Sequence, residues 1–466
     1  MMPHKYLPRV GAGVLAAVAA CADPVGPTGE PPAPPLRLTI TRPAGDTLPG
    51  LGFDFAAAFS DTAAHTLRLY VDSGTAAERV TTWRFASVLT LPSYLLHGVA
   101  MTSGPGRHTF VFVAGDTAAR PLATARAAYT VAVDDAPYAA AALPDLGAGG
   151  GARGIASTGA VAGYVLTAAG RKRPAVLRDG ALSVLPVSDS VDVVAAGTNA
   201  AGDVLLQSYR PGAVTTHNAG ARAARVWRAD GALLTIGPLL TNLGGATAEF
   251  CCTLAADLND RRQALGTTTT TASFDRSAVF DVVRGAVVDS TATRLLVLDN
   301  AGRAAGHRQY DYTPGVYLAT YGFSEPLLPS TGYEALARPD CGFSRGAPIY
   351  NDTPLGLGDD GSLLVDRCRG NALLVPAAGA PRYVDRMVGA GRQVRMARDG
   401  GLVAALDSTG ALYLWRTAGR RVTRARVAGA WRLDSLAGVN AAGAIAAYGV
   451  NTATGRGGAL RLTPAP

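Results

Sequence analysis

"GVNAAGAIAAYG", residues 438–449, and "GTNAAGDVLLQSY", residues 197–209, write one pattern twice: an asparagine, two small residues, a glycine and an apolar run. Asparagine at the first place accepts a backbone hydrogen bond within a turn, and glycine at the fourth takes the positive-φ position. The apolar residues that follow then enter a buried strand. Aligned on the glycine, the pattern recurs at Gly159, Gly202, Gly302, Gly361, Gly400 and Gly443, with Arg262 standing in register where a glycine belongs. The steps are 43, 60, 40, 59, 39 and 43 residues, which describes one repeating unit carrying two insertions.

Each copy is followed by a polar loop and a second signature, an apolar strand, a glycine-containing turn and another apolar strand. "RPAVLRDGALSVL", "ARVWRADGALLTI", "SAVFDVVRGAVV" and "ALYLWRTAGRRVT" are examples. Counting the strand before the turn, the unit has four strands in ~40–45 residues, the size of a β-propeller blade. The fold class expected is therefore all-β, with a propeller of about seven four-stranded blades over residues 135–466. The last copy, "GGALRLTPAP", ends before its final strand, and "AAALPDLG" ahead of the first copy has the look of the missing one. Residues 141–146 are predicted to pair with the unit containing Gly443, which closes the ring and leaves no sheet edge open.

The pairing of "GIASTGAVAGY" with "RPAVLRDGALSVLP", and of "NAAGDVLL" with "ARVWRADGALLTI", resembles the extracellular HAF-type repeat family, secreted bacterial proteins whose repeats are expected to form a propeller. The resemblance covers residues 141–466. It implies shape and location and brings no catalytic residues with it. The fourth and fifth units depart from its pattern, as does the third through Arg262.

The start of the chain carries an address. "MMPHKYLPR" is a short basic segment, "VGAGVLAAVAA" an apolar one too short to span a bilayer, and "VAAC" ends at Cys21. A branched apolar residue, two small residues and a cysteine resemble the lipobox of bacterial lipoproteins. That resemblance implies a signal peptide over residues 1–21, with Cys21 lipidated at the mature N-terminus. An ordinary secretory signal is the competing reading. Residues 22–35, "ADPVGPTGEPPAPP", then read as a proline-rich extended tether.

From Leu36 the texture becomes period-two alternation: "LRLTIT", "FDFAAAF", "TLRLYV", "HTFVFVAG" and "AAYTVAV", each bounded by turn residues. Five or more such runs in residues 36–134 predict an antiparallel sandwich, with Phe110 and Phe112 facing Tyr129, Val131 and Val133. "SGPGRHTFVFVAGD" resembles the penultimate strand of bacterial immunoglobulin-like modules, which implies a fold and no function.

Composition narrows the partners. The 466-residue chain has only 17 % charged residues and a net charge of +8, nearly all of it from scattered arginine, with lysine only at positions 5 and 172. That distribution argues against nucleic-acid binding. Beyond Cys21 the cysteines are Cys251, Cys252, Cys341 and Cys368. In an oxidising compartment a Cys341–Cys368 disulfide is the first choice, with Cys251 and Cys252 either free or joined to each other. No histidine lies near them in a metal-binding spacing, so no metal or other cofactor is expected.

Three stretches stand out for chemistry. "GFSRG", residues 342–346, formally matches a nucleophile elbow but lacks the flanking helix that gives the motif meaning, and His65, His97 and His108 read as packed or solvated. Arg420, Arg421, Arg424 and Arg426, with Arg392, Arg395 and Arg398 upstream, are candidates for an anion-binding patch, against the alternative of a solvated outer strand. The tyrosine-rich insertion with Tyr310, Tyr312, Tyr317 and Tyr321, and the longer one with Tyr350, are candidate ligand-binding loops, since tyrosine-rich loops on a rigid scaffold suit recognition. The reading that follows is a monomeric, lipid-anchored cell-envelope protein, at the outer membrane or cell surface or on its periplasmic side. It attaches to the membrane through its N-terminal lipid and binds a protein or glycan without catalysis. A propeller-type glycan lyase or hydrolase and a structural scaffold are the alternatives.

Overall fold

The computed structural model describes residues 36–465 apart from 43–46, 60–63, 85–93, 144–149, 210–220, 237–249, 308–315, 327–352, 385–390 and several shorter intervals. Among the described residues every regular element is a β-strand.

Residues up to Val131 form two sheets. Three strands, Leu38–Arg42, Gly52–Phe59 and Tyr94–Met101, make one, and five make the other, with Gly106–Gly115 and Pro121–Val131 near its centre. The alternation read in the sequence is the burial pattern seen. Leu67, Leu69, Phe110 and Phe112 are fully enclosed while the residues between them are not. Phe55 of the three-stranded sheet meets Phe112 of the other at 5.2 Å between ring centroids, and the Phe110 ring stands edge-on to Tyr129 at 5.4 Å. Rings in these tilted arrangements add about 0.5–1.5 kcal/mol each beyond the area they bury.

The repeats fold as the spacing predicts. Five successive four-stranded antiparallel sheets start at Gly151, Asp192, Phe250, Arg294 and Thr353, and in each the strands are hydrogen-bonded in chain order. An eight-stranded sheet completes the set and divides into two further units, one beginning with Gly391–Met396 and one with Trp431–Val439. Neighbouring sheets pack face to face around apolar clusters. Val193 and Leu206 of the second sheet meet Ala162 and Val176 of the first. Leu205 and Ile236 meet Ala264 and Phe280 of the third. Trp415, wholly buried, packs with Leu364 and Leu374 across the junction ahead of the eight-stranded sheet. Ala446 and Ala459 of the last unit lie against Val161 and Leu177 of the first, so the series closes on itself. The arrangement is a β-propeller.

Closure uses a segment from the start of the propeller, as the sequence suggests: Ala141 and Ala142 pair with the unit containing Gly443, the Leu143 amide donates to the Ala459 carbonyl, and residues 144–146 of the predicted range lie outside the described residues. The strand itself, Asp134–Ala142, begins seven residues before that range. Its second half pairs antiparallel with Gly457–Pro464, in register from Leu460 opposite Ala142 to Pro464 opposite Tyr138. Its first half pairs in parallel with Val422–Val427 of the preceding unit, a contact the sequence does not announce. The segment satisfies two open strand edges at once, which is why an alanine-rich stretch of weak β-propensity is extended here.

Candidate functional site

The first strand of every unit faces the middle of the ring, and together these strands enclose a cavity of about 400 Å³. The wall is built from residues 153–155, 196–198, 256–258, 296–297, 354–357, 395–396 and 437–439, with Arg398 added. Ligand cavities typically run from ~300 to 1,000 Å³.

A recurring irregularity shapes this wall. The pairing register slips by a residue between Ala152 and Gly154, Ala195 and Gly197, Ala255 and Asp257, Leu295 and Val297, Pro354 and Gly356, and Leu436 and Gly438. The extra residue, Arg153 in the first unit and Ala196 in the second, stands three places before the first residue of the turn. A bulge leaves its residue outside the ladder and bends the strand. Glycine then follows the extra residue in four units, at Gly154, Gly197, Gly356 and Gly438, and keeps the centre open. A Cβ placed on Gly197 meets nothing within 4 Å. The unit beginning at Gly391 carries its slip earlier, and Arg395 occupies the place held elsewhere by glycine.

One end of the cavity is bridged by side chains. Arg398 reaches across the ring from the turn after Gly391–Met396 and donates through Nη2 to Asp257 Oδ1 at 2.7 Å and to the Leu258 carbonyl at 3.1 Å. Its Nη1 donates to the carbonyl of Leu298. Asp257 also accepts from the amides of Leu258 and Leu298, both at 2.8 Å. Burial alone would lower the Arg398 pKa, but the Asp257 carboxylate, with Asp260 and Asp359 farther off, outweighs it and holds the guanidinium above its ordinary value. Arg395 differs. Burial holds its pKa below the usual arginine range, with Asp366 opposing, and its Nη1 donates to the adjacent Val394 carbonyl.

The turns form a hydrogen-bonded belt around the same end. Each buried asparagine accepts in its own turn, as read from the sequence: Asn199 from the Asp203 amide, Asn259 from Gln263 and Asn440 from Ala444, all at 2.8–2.9 Å. Its amide nitrogen also donates to the next unit, which the sequence reading missed. Asn199 bonds the Asn259 carbonyl at 3.0 Å, Asn259 the Asp299 carbonyl at 2.7 Å, and Asn440 the carbonyls of Ala156 and Ser157 across the closure. An aspartate has no donor for this bond. Where Asp299 holds the place, Arg303 makes the crossing instead, to the carbonyls of Gly358 and Asp359. Arg262, in the glycine position with φ of 61°, donates from Nε and Nη2 to the fully buried Asp203 of the preceding unit at 2.7 and 2.8 Å.

Of the residues singled out in the sequence, the structure separates the arginines into two groups. Arg424 grips Asp135 of the closing strand through Nε and Nη2, Arg426 reaches the same carboxylate at 2.9 Å, and Arg421 lies 3.9 Å from Asp134. Arg424 and Arg426 thus tie the closing strand to the strand Val422–Val427, while Arg421 stays exposed. Arg395 and Arg398 instead line the cavity. His108 lies between Asp72 and the Gly104 carbonyl, 2.7 Å from each, as a packed side chain of the sheet region. Cys251 and Cys252 stand in the strand Phe250–Leu258 and Tyr317 in Val316–Thr320. Cys21, Cys341, Cys368, Tyr310, Tyr312, Tyr321, Tyr350, Arg420 and the GFSRG stretch lie outside the described residues. Arg153 was not singled out, because the bulge that sets it in the wall shows only in the pairing register.

No family model matches the chain, and no curated protein sequence does. Among solved structures it is similar to YCF48 bound to D1 peptide, at 13% identity and a TM-score of 0.41, over 72% of this chain and 99% of that one. It is also similar to the β-propeller domain of Cps50 (Swd1) from Myceliophteria thermophila, at 11% identity and a TM-score of 0.31, over 56% of this chain and 82% of that one.

Proposed function

We propose that this chain is a lipid-anchored envelope protein that displays a seven-bladed propeller, built from HAF-type repeats, for recognition of a protein partner and without catalysis. An immunoglobulin-like sandwich over residues 36–134 stands between the blades and the tether. The observation that carries the recognition reading is the central cavity, to which the first strand of each unit contributes. Its carboxylate Asp257 is already held by a guanidinium and two amides, which suits a structural role better than acid or base chemistry. The anchor rests on the sequence alone, on "VAAC" and the proline-rich segment after it.

Two experiments test the reading. The body from residue 22 onward, crosslinked in an envelope extract, is expected to join one protein species with crosslinked residues ringing the cavity mouth; crosslinks confined to the outer strands, or turnover of a retained glycan, contradict it. Cys21→Ser is expected to release the full-length protein from the membrane fraction, and undiminished retention removes the anchor.

A further inference from the structure

We infer that the central cavity binds a carboxylate of an extended acidic peptide, with Arg395 as its anchor and Arg153 as a second cation of the wall. This rests on the reading of the propeller as a recognition module and deepens it by naming the ligand's chemistry. Among the described residues four charged side chains line the cavity, Arg153, Asp257, Arg395 and Arg398, three guanidiniums against one carboxylate, so the lining carries a net positive charge. Asp257 pairs with Arg398 at 2.7 Å, and the Arg153 guanidinium stands over the Tyr164 ring.

Arg395 is the group poised for a ligand. A guanidinium has five N–H donors in a planar fork. Here one bond goes to the neighbouring Val394 carbonyl, and among the described residues no carboxylate lies within ion-pair distance of it. Asp366 acts on the partly buried guanidinium only from beyond ion-pair distance and leaves its charge incompletely compensated; an incoming carboxylate supplies the close partner while matching the fork with two parallel bonds. Burial depresses the Arg395 pKa, and Asp366 opposes that shift.

The rest of the wall selects a peptide over an acidic sugar. Ile155, Leu296, Leu355, Met396 and Val439 are aliphatic, and among the described residues no aromatic side chain lines the cavity to stack on a sugar ring. The bulges place backbone groups that are outside the sheet ladder along the wall, and extended peptides are recognised through main-chain hydrogen bonds of that kind.

The test is a display selection of random twelve-residue peptides on the immobilised chain, followed by affinity measurement of the enriched peptides. Aspartate or glutamate is expected at a fixed place in the winners. Exchanging it for the amide, or Arg395→Met, is expected to weaken binding at least about tenfold, the size of a lost charge-assisted bond. Arg395→Lys is expected to lose less, and Arg153→Met gives an independent reading if the Arg395 variants fold poorly. Winners without an acidic residue, or bound equally by both the Arg395→Met and Arg153→Met proteins, overturn the carboxylate site while leaving peptide recognition standing. Failure of any peptide to bind overturns both, and a uronate oligosaccharide that binds through Arg395 in place of peptides assigns the cavity to glycan.

Discussion

Asn199, Asn259 and Asn440 each serve two partners, an amide of their own turn and a carbonyl of the next unit. Only the first role follows from turn chemistry in the sequence, because the second depends on which turn lies alongside. Arg262 shows the same division. In the sequence it is a blemish in the repeat, and in the structure it partners Asp203. Restoring the repeat with Arg262→Gly relieves a left-handed backbone at a non-glycine residue, a gain of roughly 1 kcal/mol. It also removes the charge partner of a buried carboxylate, a loss of roughly 2–4 kcal/mol, so the variant is expected to be less stable by about 1–3 kcal/mol. Burial pushes the Asp203 pKa up, but the Arg262 hydrogen bonds, with those of Ala229 and Asn199, bring it below the ordinary carboxylate value. A depressed folded-state pKa stabilises the fold above the unfolded value, and that contribution is lost as the pH falls through the folded one. The deficit of the variant is therefore expected to be full at pH 7 and to shrink toward pH 3, as thermal melts across that range would show. A variant as stable as the parent at pH 7 would remove the role given to this ion pair.

At the level of elements, the hairpins were legible because turn glycines and apolar runs declare themselves locally. The closing strand was half legible. "DDAPYAAAA" carries no strong alternation, and its limits are set by the two edges it fills. Tyr138, 3% exposed, packs there among Leu414, Leu436 and Leu460, and Asp135 is gripped by Arg424 and Arg426. A chain that begins at Gly150 bares both edges and this apolar face. Compared with one that begins at Ala132, it is expected to melt ~10 °C or more lower and to elute as associated species on size exclusion. Equal melting and a monomeric profile would show that the strand is dispensable. The bulged first strands were not legible at all. Their residues are mostly small, and a bulge breaks the period-two rule by which a strand's faces are assigned.

For the whole molecule, the repeat spacing carries the all-β class and the ring, while the cavity exists only once the ring has closed. The repeated Asn and Gly residues build the frame, and the residues that differ among units, Arg153, Asp257, Arg395 and Arg398, give the hollow its chemistry. Gly197 offers the most direct test of whether recognition happens there. Its position lines the cavity, and an added side chain projects into open space. Gly197→Leu is therefore expected to leave the melting temperature within a few degrees of the parent and to occupy the space a ligand needs. The decisive measurement is the affinity of the crosslinked envelope partner for the two proteins. Binding weakened at least about tenfold by Gly197→Leu, with folding intact, is the expected result; unchanged affinity would contradict recognition at the centre of the ring.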